Sequence, residues 1–202
     1  LRESINSGDR EELKKAIQNL DPEYADKILY DWKLWARDKQ LPPENWDNFW
    51  ILKCGRGFGK TRTGAETMRM AVMEWGYRYP LIVAPTAGDA RDIMIEGESG
   101  LLSVFPPNER PDYEPSKRRI IFPNGVIGTI RSAEKPDGLR GIQSDFFWAD
   151  EAAAWQYLKE ALDNITLGHR IGNNPLGIIT TTPKPIKEIK RLCADPTNII
   201  TS

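Results

Sequence analysis

Cys54-Gly55-Arg56-Gly57-Phe58-Gly59-Lys60-Thr61 is the stretch on which the fold of this 202-residue chain turns. It follows the apolar run Trp50 to Cys54 and opens a segment in which Ala65, Met68 and Val72 recur at helical spacing. Strand, glycine-rich loop and helix, in that order, are the context in which such a loop holds a phosphate. Gly55, Gly57 and Gly59 let the backbone turn so that its N–H groups point inward at an anion. The helix beginning near Lys60 adds its free N–H groups and its dipole. Lys60 is expected to reach the β- and γ-phosphates of a nucleotide, and the Thr61 hydroxyl to ligate Mg²⁺. The helix is expected to turn Thr61, Ala65, Met68, Val72 and Trp75 inward and to stop at Gly76. Cys54 stands where the general phosphate-loop pattern has glycine. The competing reading is an ordinary glycine-rich turn that precedes Lys-Thr.

Working outward, short apolar runs recur at Leu81 to Ala84, Phe146 to Ala149 and Ile178 to Thr182. Helix-compatible segments follow the first three runs of the chain, and Pro185 to Cys193 reads as a last helix. This alternation predicts an α/β fold with a largely parallel, doubly covered sheet. Arg119 to Arg131 interrupts it as an inserted β-hairpin, with Asn124-Gly125 expected to supply the two positive φ angles of a tight turn. Ahead of the core, Leu13, Ala16, Ile17 and Leu20 recur at the spacing expected of one face of an amphipathic helix. A second helix is expected to start with Asp21 as N-cap and Pro22 at its first position. Tyr24, Ile28, Trp32 and Trp35 then recur at helical spacing until Pro42-Pro43 forbid continuation. That aromatic stripe reads as packing surface.

Phe146-Phe147-Trp148-Ala149-Asp150-Glu151 is an apolar strand that ends in two carboxylates. A buried parallel strand delivers Asp150 to its carboxyl end, where ligands of such sheets sit. There Asp150 can hold the Mg²⁺ hydration shell as a Walker B aspartate does. Glu151 can polarise the water that attacks the γ-phosphate, which favours hydrolysis over transfer to a substrate hydroxyl. Read alone, the pair would be acidic residues at the N-terminus of the helix holding Trp155, favoured by its dipole. Thr180-Thr181-Thr182 ends another strand, where a hydroxyl can sense the γ-phosphate, although threonine favours strands in any case. Arg140, in the loop Gly138-Leu139-Arg140-Gly141, and Arg56, within the phosphate loop, are alternative arginine fingers on chemistry alone.

Composition sets outer limits. With 40% hydrophobic and 28% charged residues, wholesale disorder is excluded. The 28 basic residues against 29 acidic ones give a net charge of −1, which excludes a generally basic nucleic-acid coat or polybasic membrane binder but not a local basic stripe. Cys54 and Cys193 are the only cysteines and His169 the only histidine, so neither a zinc site nor a disulfide framework is expected. A reducing cytoplasm fits that usage. No apolar run approaches the ~20 residues a bilayer requires, so no membrane partner is expected. The chain opens at Leu1 without a methionine, and no signal-peptide pattern is present.

Taken together, Gly55 to Arg62, then Leu139-Arg140-Gly141 leading into Asp150-Glu151-Ala152, then Thr180-Thr181-Thr182-Pro183, resemble a large terminase subunit of tailed bacteriophages. The resemblance spans about residues 30 to 202, and the arginine inside the phosphate loop and the Leu-Arg-Gly element are not general phosphate-loop features. It implies a P-loop NTPase of the ASCE type, α/β with a central mostly parallel sheet, an N-terminal helical arm and the inserted hairpin. Residues 1–49 would form the arm and an adenine-side segment, and 50–202 the ATPase core. By the same resemblance Gly55, Arg56, Gly57, Phe58, Gly59, Lys60 and Thr61 bind ATP, and Thr61 and Asp150 hold Mg²⁺. Glu151, Lys60 and a trans-acting Arg140 are catalytic, and Thr180, Thr181 and Thr182 couple. Gln40-Leu41-Pro42-Pro43 with Trp46 and Trp50 is similar to the family's adenine-side segment, so Gln40 either reads the adenine edge or is simply a helix-end glutamine.

The resemblance further implies ATP hydrolysis that powers translocation of double-stranded viral DNA into a procapsid. The partners would be duplex DNA, a homo-oligomeric ring, the portal protein and the small terminase subunit, in the host cytoplasm with transient docking on the procapsid. Family members carry a C-terminal nuclease, and with the chain ending at Ser202 only the ATPase half is expected, without DNA cleavage. A motor's grip on DNA should run through phosphates. Lys117, Arg118, Arg119 and Arg131 around the hairpin are candidates, as are Lys184, Lys187, Lys190 and Arg191 on the last helix. Either group can equally be a solvated face. A helicase-like DNA-stimulated ATPase, a phosphotransferase and a nucleotide-gated assembly module remain alternative readings of the same residues.

Overall fold

The computed structural model describes residues 22–202, so the helix expected on Leu13 to Leu20 and the Asp21 N-cap lie outside the described residues. The chain divides into two compact units, 1–41 and 42–202. In the first, the single helix expected to run toward Pro42 is broken into α1 (Pro22–Leu29), α2 (Trp32–Trp35) and a 3₁₀ turn, Asp38–Gln40. The reason is local. The Asp31 carboxylate accepts from Lys33 N at 3.0 Å and caps a new helix. The Ile28 carbonyl, which a continuous helix would give to residue 32, accepts instead from Asp31 N and from the Trp35 indole at 2.6 Å.

The second unit is built on eight strands: β1 (Phe49–Lys53), β2 (Pro80–Ala84), β3 (Asp112–Glu114), β4 (Arg119–Ile121), β5 (Ile127–Ser132), β6 (Phe146–Ala149), β7 (Leu176–Thr181) and β8 (Ile199–Thr201). Their spatial order is β3-β4-β5-β2-β6-β7-β1-β8. From β5 to β8 all neighbours are parallel, and β3 and β4 add an antiparallel edge. Helix α3 (Lys60–Met73) follows β1, while α4 (Leu158–Gly168) and α5 (Lys187–Ala194) follow β6 and β7. The mostly parallel α/β sheet flanked by helices is the expected architecture.

Strand β6 shows why its sequence is continuously apolar: all four residues are buried because both faces of the sheet are covered. Phe146 and Trp148 join Ala65, Met68 and Val72 of α3 in one core. Phe147 and Ala149, one step along the pleat, join Leu158, Ala161 and Ile165 of α4 in the other. Trp46 and Trp50 belong to the first core, with ring centroids 5.6 Å apart edge to face.

Three local expectations are corrected. Helix α3 ends at Met73, and Trp75, expected inside, is 39% exposed although its ring edge still meets Trp46 and Phe146. The hairpin turn carries one positive φ, at Gly125 (81°), and none at Asn124. Pro123 fixes its own φ near −65°, so Phe122 to Gly125 forms an ordinary turn closed by Gly125 N to Phe122 O at 2.8 Å, with Gly125 as a bulge. Finally, Trp155 does not sit in a helix opened by Asp150-Glu151. A 3₁₀ turn, Ala152–Ala154, comes first, and α4 starts at Leu158.

Candidate active site

Because β7 lies between β1 and β6 and all three are parallel, their carboxyl ends open onto one edge of the sheet. The phosphate loop leaves β1 there, Asp150 leaves β6, and Thr182 leaves β7. Within the loop only Gly57 (φ 78°) and Gly59 (φ 84°) have left-handed backbones, so a side chain is tolerated at Cys54, which is buried with Sγ 3.4 Å from the Thr201 carbonyl. Gly59 caps α3, its carbonyl accepting from both Thr63 N and Thr63 Oγ1. Lys60 folds its ammonium back over the loop, donating to the carbonyls of Cys54 (3.0 Å) and Gly55 (3.2 Å). The same Nζ stands 3.9 Å from a Glu151 carboxylate oxygen.

Asp150 is buried and bridges two hydroxyls. Thr61 Oγ1 donates to its Oδ2 at 3.2 Å, and the Thr180 hydroxyl donates to its Oδ1. Burial pushes its carboxyl above the usual carboxylate range, while the Thr180 and Thr61 hydroxyls pull it back. Thr180 Oγ1 also accepts from Glu151 N at 3.0 Å. Glu151 itself is held in the left-handed region (φ 46°, ψ 50°), a conformation that costs a non-glycine residue about 1–3 kcal/mol and collects at functional sites. Thr182 fixes its carboxylate from beyond, donating through N at 3.2 Å and through its hydroxyl. Alternation along the strand divides the three threonines: Thr180 and Thr182 face the carboxylates, and Thr181 accepts from Ala153 N at 3.2 Å and pins the following turn.

The phosphate loop, from Arg56 to Thr61, and Glu151 border a cleft of about 530 Å³. Its far wall was not foreseen from sequence: a π-helix, Ala90–Ile95, and the turn after it bring Asp92, Ile93, Glu98 and Ser99 opposite Arg56, Lys60 and Thr61. The signal was the pair Gly97 and Gly100, where a Cβ would lie 2.6 Å from Ile93 O and 2.7 Å from Ile95 O respectively. π-Helices of this kind concentrate at functional sites.

Other candidate residues are placed as follows. Arg56 lines the cleft; Arg140 does not, standing exposed after the 3₁₀ turn Pro136–Leu139. Gln40 belongs to the N-terminal unit, where its side-chain oxygen accepts from Arg37 N and Nε. On the last helix side, Lys184 donates to Ala153 O at 3.4 Å, and Lys187, Lys190 and Arg191 lie on α5. A buried carboxylate beside a hydroxyl at the mouth of a phosphate loop is a hard-oxygen pair suited to Mg²⁺, which takes few protein ligands and completes its shell with water and phosphate. Among the described residues there is no cluster of three or more His, Cys, Asp or Glu side chains that would hold a metal ion without such help. No helix among them is long and apolar enough to cross a membrane.

The sequence model of one family matches residues 51–199: terminase large subunit, T4likevirus-type, N-terminal. No curated protein matches. Among solved structures the chain is similar to the large terminase ATPase domain of Thermus phage P74-26, at 17% identity and TM-score 0.58, covering 82% of this chain and 79% of that one. It is similar to the large terminase of bacteriophage HK97, at 21% identity and TM-score 0.60, over 90% of this chain and 39% of that one. It is also similar to the large terminase of a thermophilic bacteriophage in complex with ADP, at 14% identity and TM-score 0.57, over 87% and 43%. The chain thus spans about two-fifths of the length of those last two terminases. At such identities the structures speak for the fold, and the family match speaks for kinship. The chain belongs to the terminase large-subunit family and corresponds to its N-terminal domain.

Proposed function

We propose that this terminase large-subunit domain hydrolyses Mg²⁺–ATP and that the energy drives double-stranded DNA into a viral procapsid. The observation that carries this reading is the convergence of Lys60, Thr61, Asp150, Glu151 and Thr180 at one sheet edge. The backbone N–H groups of Gly55 to Lys60, with Arg56 and Phe58 among them, bind the phosphates. Thr61 and Asp150 would hold Mg²⁺, which when bound neutralises phosphate charge and orients the γ-phosphate. Lys60, now spent on two loop carbonyls and near Glu151, turns to the β- and γ-phosphates. Glu151 accepts a proton from the attacking water, and no acceptor hydroxyl takes part. Thr180 and Thr182, bonded to both carboxylates, report loss of the γ-phosphate to β7 and the α5 segment. Arg140, exposed and outside its own cleft, acts in the cleft of a neighbouring copy.

By this reading the domain works in a homo-oligomeric ring with the portal protein and the small terminase subunit, in the host cytoplasm at the procapsid. The test is phosphate release from Mg²⁺–ATP without acceptor, wild type against Glu151→Ala. The variant is expected to bind ATP with unchanged affinity and to lose about 10²–10⁴ in turnover. Undiminished turnover in Glu151→Ala would remove the hydrolytic assignment.

A further inference from the structure

Glu66, on α3, is fully buried, and nothing in the hydrolytic chemistry uses its carboxylate. Two guanidinium groups of the same helix close on it. Arg62 donates to Oε1 through Nε (3.0 Å) and Nη2 (2.8 Å), and Arg69 donates to Oε2 through Nε (3.1 Å). Burial pushes the Glu66 carboxyl up, while the charges and hydrogen bonds of Arg69 and Arg62 pull it back. A buried ion cluster of this kind adds little stability over apolar side chains of the same volume, so its use lies in what it holds. Arg69 by itself would neutralise the carboxylate. Arg62 makes the triad net positive, and Arg62 lines the nucleotide cleft where Arg69 does not.

The facing wall of that cleft carries Asp92 and Glu98. A long arginine side chain in the first turn of α3 would be drawn toward those carboxylates and across the space a nucleotide needs. Two hydrogen bonds to one oxygen of Glu66 instead fix the guanidinium on the phosphate-loop side. We propose that Arg62 is a further nucleotide-binding residue, contacting the α-phosphate, and that Glu66 is the positioning residue that holds its guanidinium there. The inference rests on the ATPase reading and adds a contact to it. Lys60 serves the β- and γ-phosphates and Thr61 the metal, which leaves the α-phosphate with backbone donors alone. Arg62 follows directly on the same wall, and guanidinium N–H groups match phosphate oxygens in charge and geometry. The α-phosphate is unchanged by hydrolysis, so the contact is as strong in the ground state as in the transition state and acts on binding, not on turnover.

The experiment is isothermal titration calorimetry of the 202-residue chain with Mg²⁺–ADP and with the Mg²⁺ complex of the β,γ-imido analogue of ATP, alongside phosphate release from Mg²⁺–ATP. Arg62→Gln is expected to weaken both nucleotides by the same factor, about 10–100-fold, and to raise KM as much with kcat within about twofold. Glu66→Gln should raise KM by a smaller factor, again with kcat kept. Arg69→Gln, which disturbs the same carboxylate away from the cleft, should leave both affinities within about twofold of wild type. Thermal unfolding checks each fold. Should Arg62→Gln fail to fold, Arg62→Gln/Glu66→Gln, which removes the buried charge with its partner, is read in its place with the same loss expected. Folded Arg62→Gln with wild-type affinity would overturn the proposal and leave the ATPase reading standing. A loss confined to the ATP analogue would move the guanidinium to the γ-phosphate and overturn the α-phosphate contact. An equal loss in Arg69→Gln would mean that the triad acts only through the fold, and an unchanged KM in Glu66→Gln would take the positioning role from Glu66. Wild-type protein that binds neither nucleotide would overturn both readings.

Discussion

Thr180 is the residue on which the two carboxylates depend. Its hydroxyl donates to Asp150 and accepts from Glu151 N, so one side chain orients the buried acid and holds the strained backbone beside it. Thr180→Val keeps the shape and removes both bonds. It should cost about 1–3 kcal/mol, read by denaturant unfolding, and reduce phosphate release more than ATP affinity. His169 offers a test of burial alone. Its ring sits between Ser144 Oγ (3.0 Å) and the Phe147 ring edge, and burial pushes its pKa down to about 4 from 6.5. The unfolded imidazole therefore takes its proton first as pH falls. The resulting stability is complete above pH 6.5 and is lost as pH drops toward 4, by at most about 3 kcal/mol. His169→Gln should flatten unfolding free energy against pH across that window. An equally steep profile in the variant would show that His169 is not the group responsible.

At the scale of elements, the spacing between the phosphate-loop helix and the acidic strand is set by Gly64. A Cβ there would overlap the Trp148 indole, whose neighbour Ala149 leads into Asp150. Gly64→Ala is expected to lose about 1–3 kcal/mol of stability despite its better helix propensity, because α3 must move away from β6. ATP affinity should weaken with it, since the same movement carries Lys60 and Thr61 away from Asp150. Stability equal to wild type by thermal melting would mean that the helix has room to shift. The π-helix opposite has the reverse character. Its Ile93 is exposed and its Asp92 lines the open cleft, while Met94 and Ile95 hold it to the core.

For the whole molecule, Arg140 decides between a subunit that works alone and one completed by its neighbour. It stands exposed and outside its own cleft. In the ring reading, phosphate release per chain rises with protein concentration, and Arg140→Ala abolishes the rise by roughly 10³-fold or more. Release that is independent of concentration would take Arg140 out of its trans role.

Much of this was legible in the chain itself. The phosphate loop, the acidic strand end and the threonine strand could be read because each is a local pattern: a strand of fixed period running into a fixed set of residues. Parallel strands then bring such ends to one edge by topology alone. The hairpin, the α/β class and the family resemblance were legible for the same reason. What the sequence left out depends on contacts between distant segments. The π-helical wall has no periodicity of its own and is defined by what it faces. Glu151's left-handed backbone follows from Thr180 and Thr182, about thirty residues on. The pairing of Lys117 and Arg119 with Glu114 emerged only when β3 and β4 were laid side by side. Residue order determined which chemical groups are present and which ends of strands carry them. Tertiary structure decided which charges are spent on one another and which remain for a ligand, because charge pairing acts through space and not along the chain.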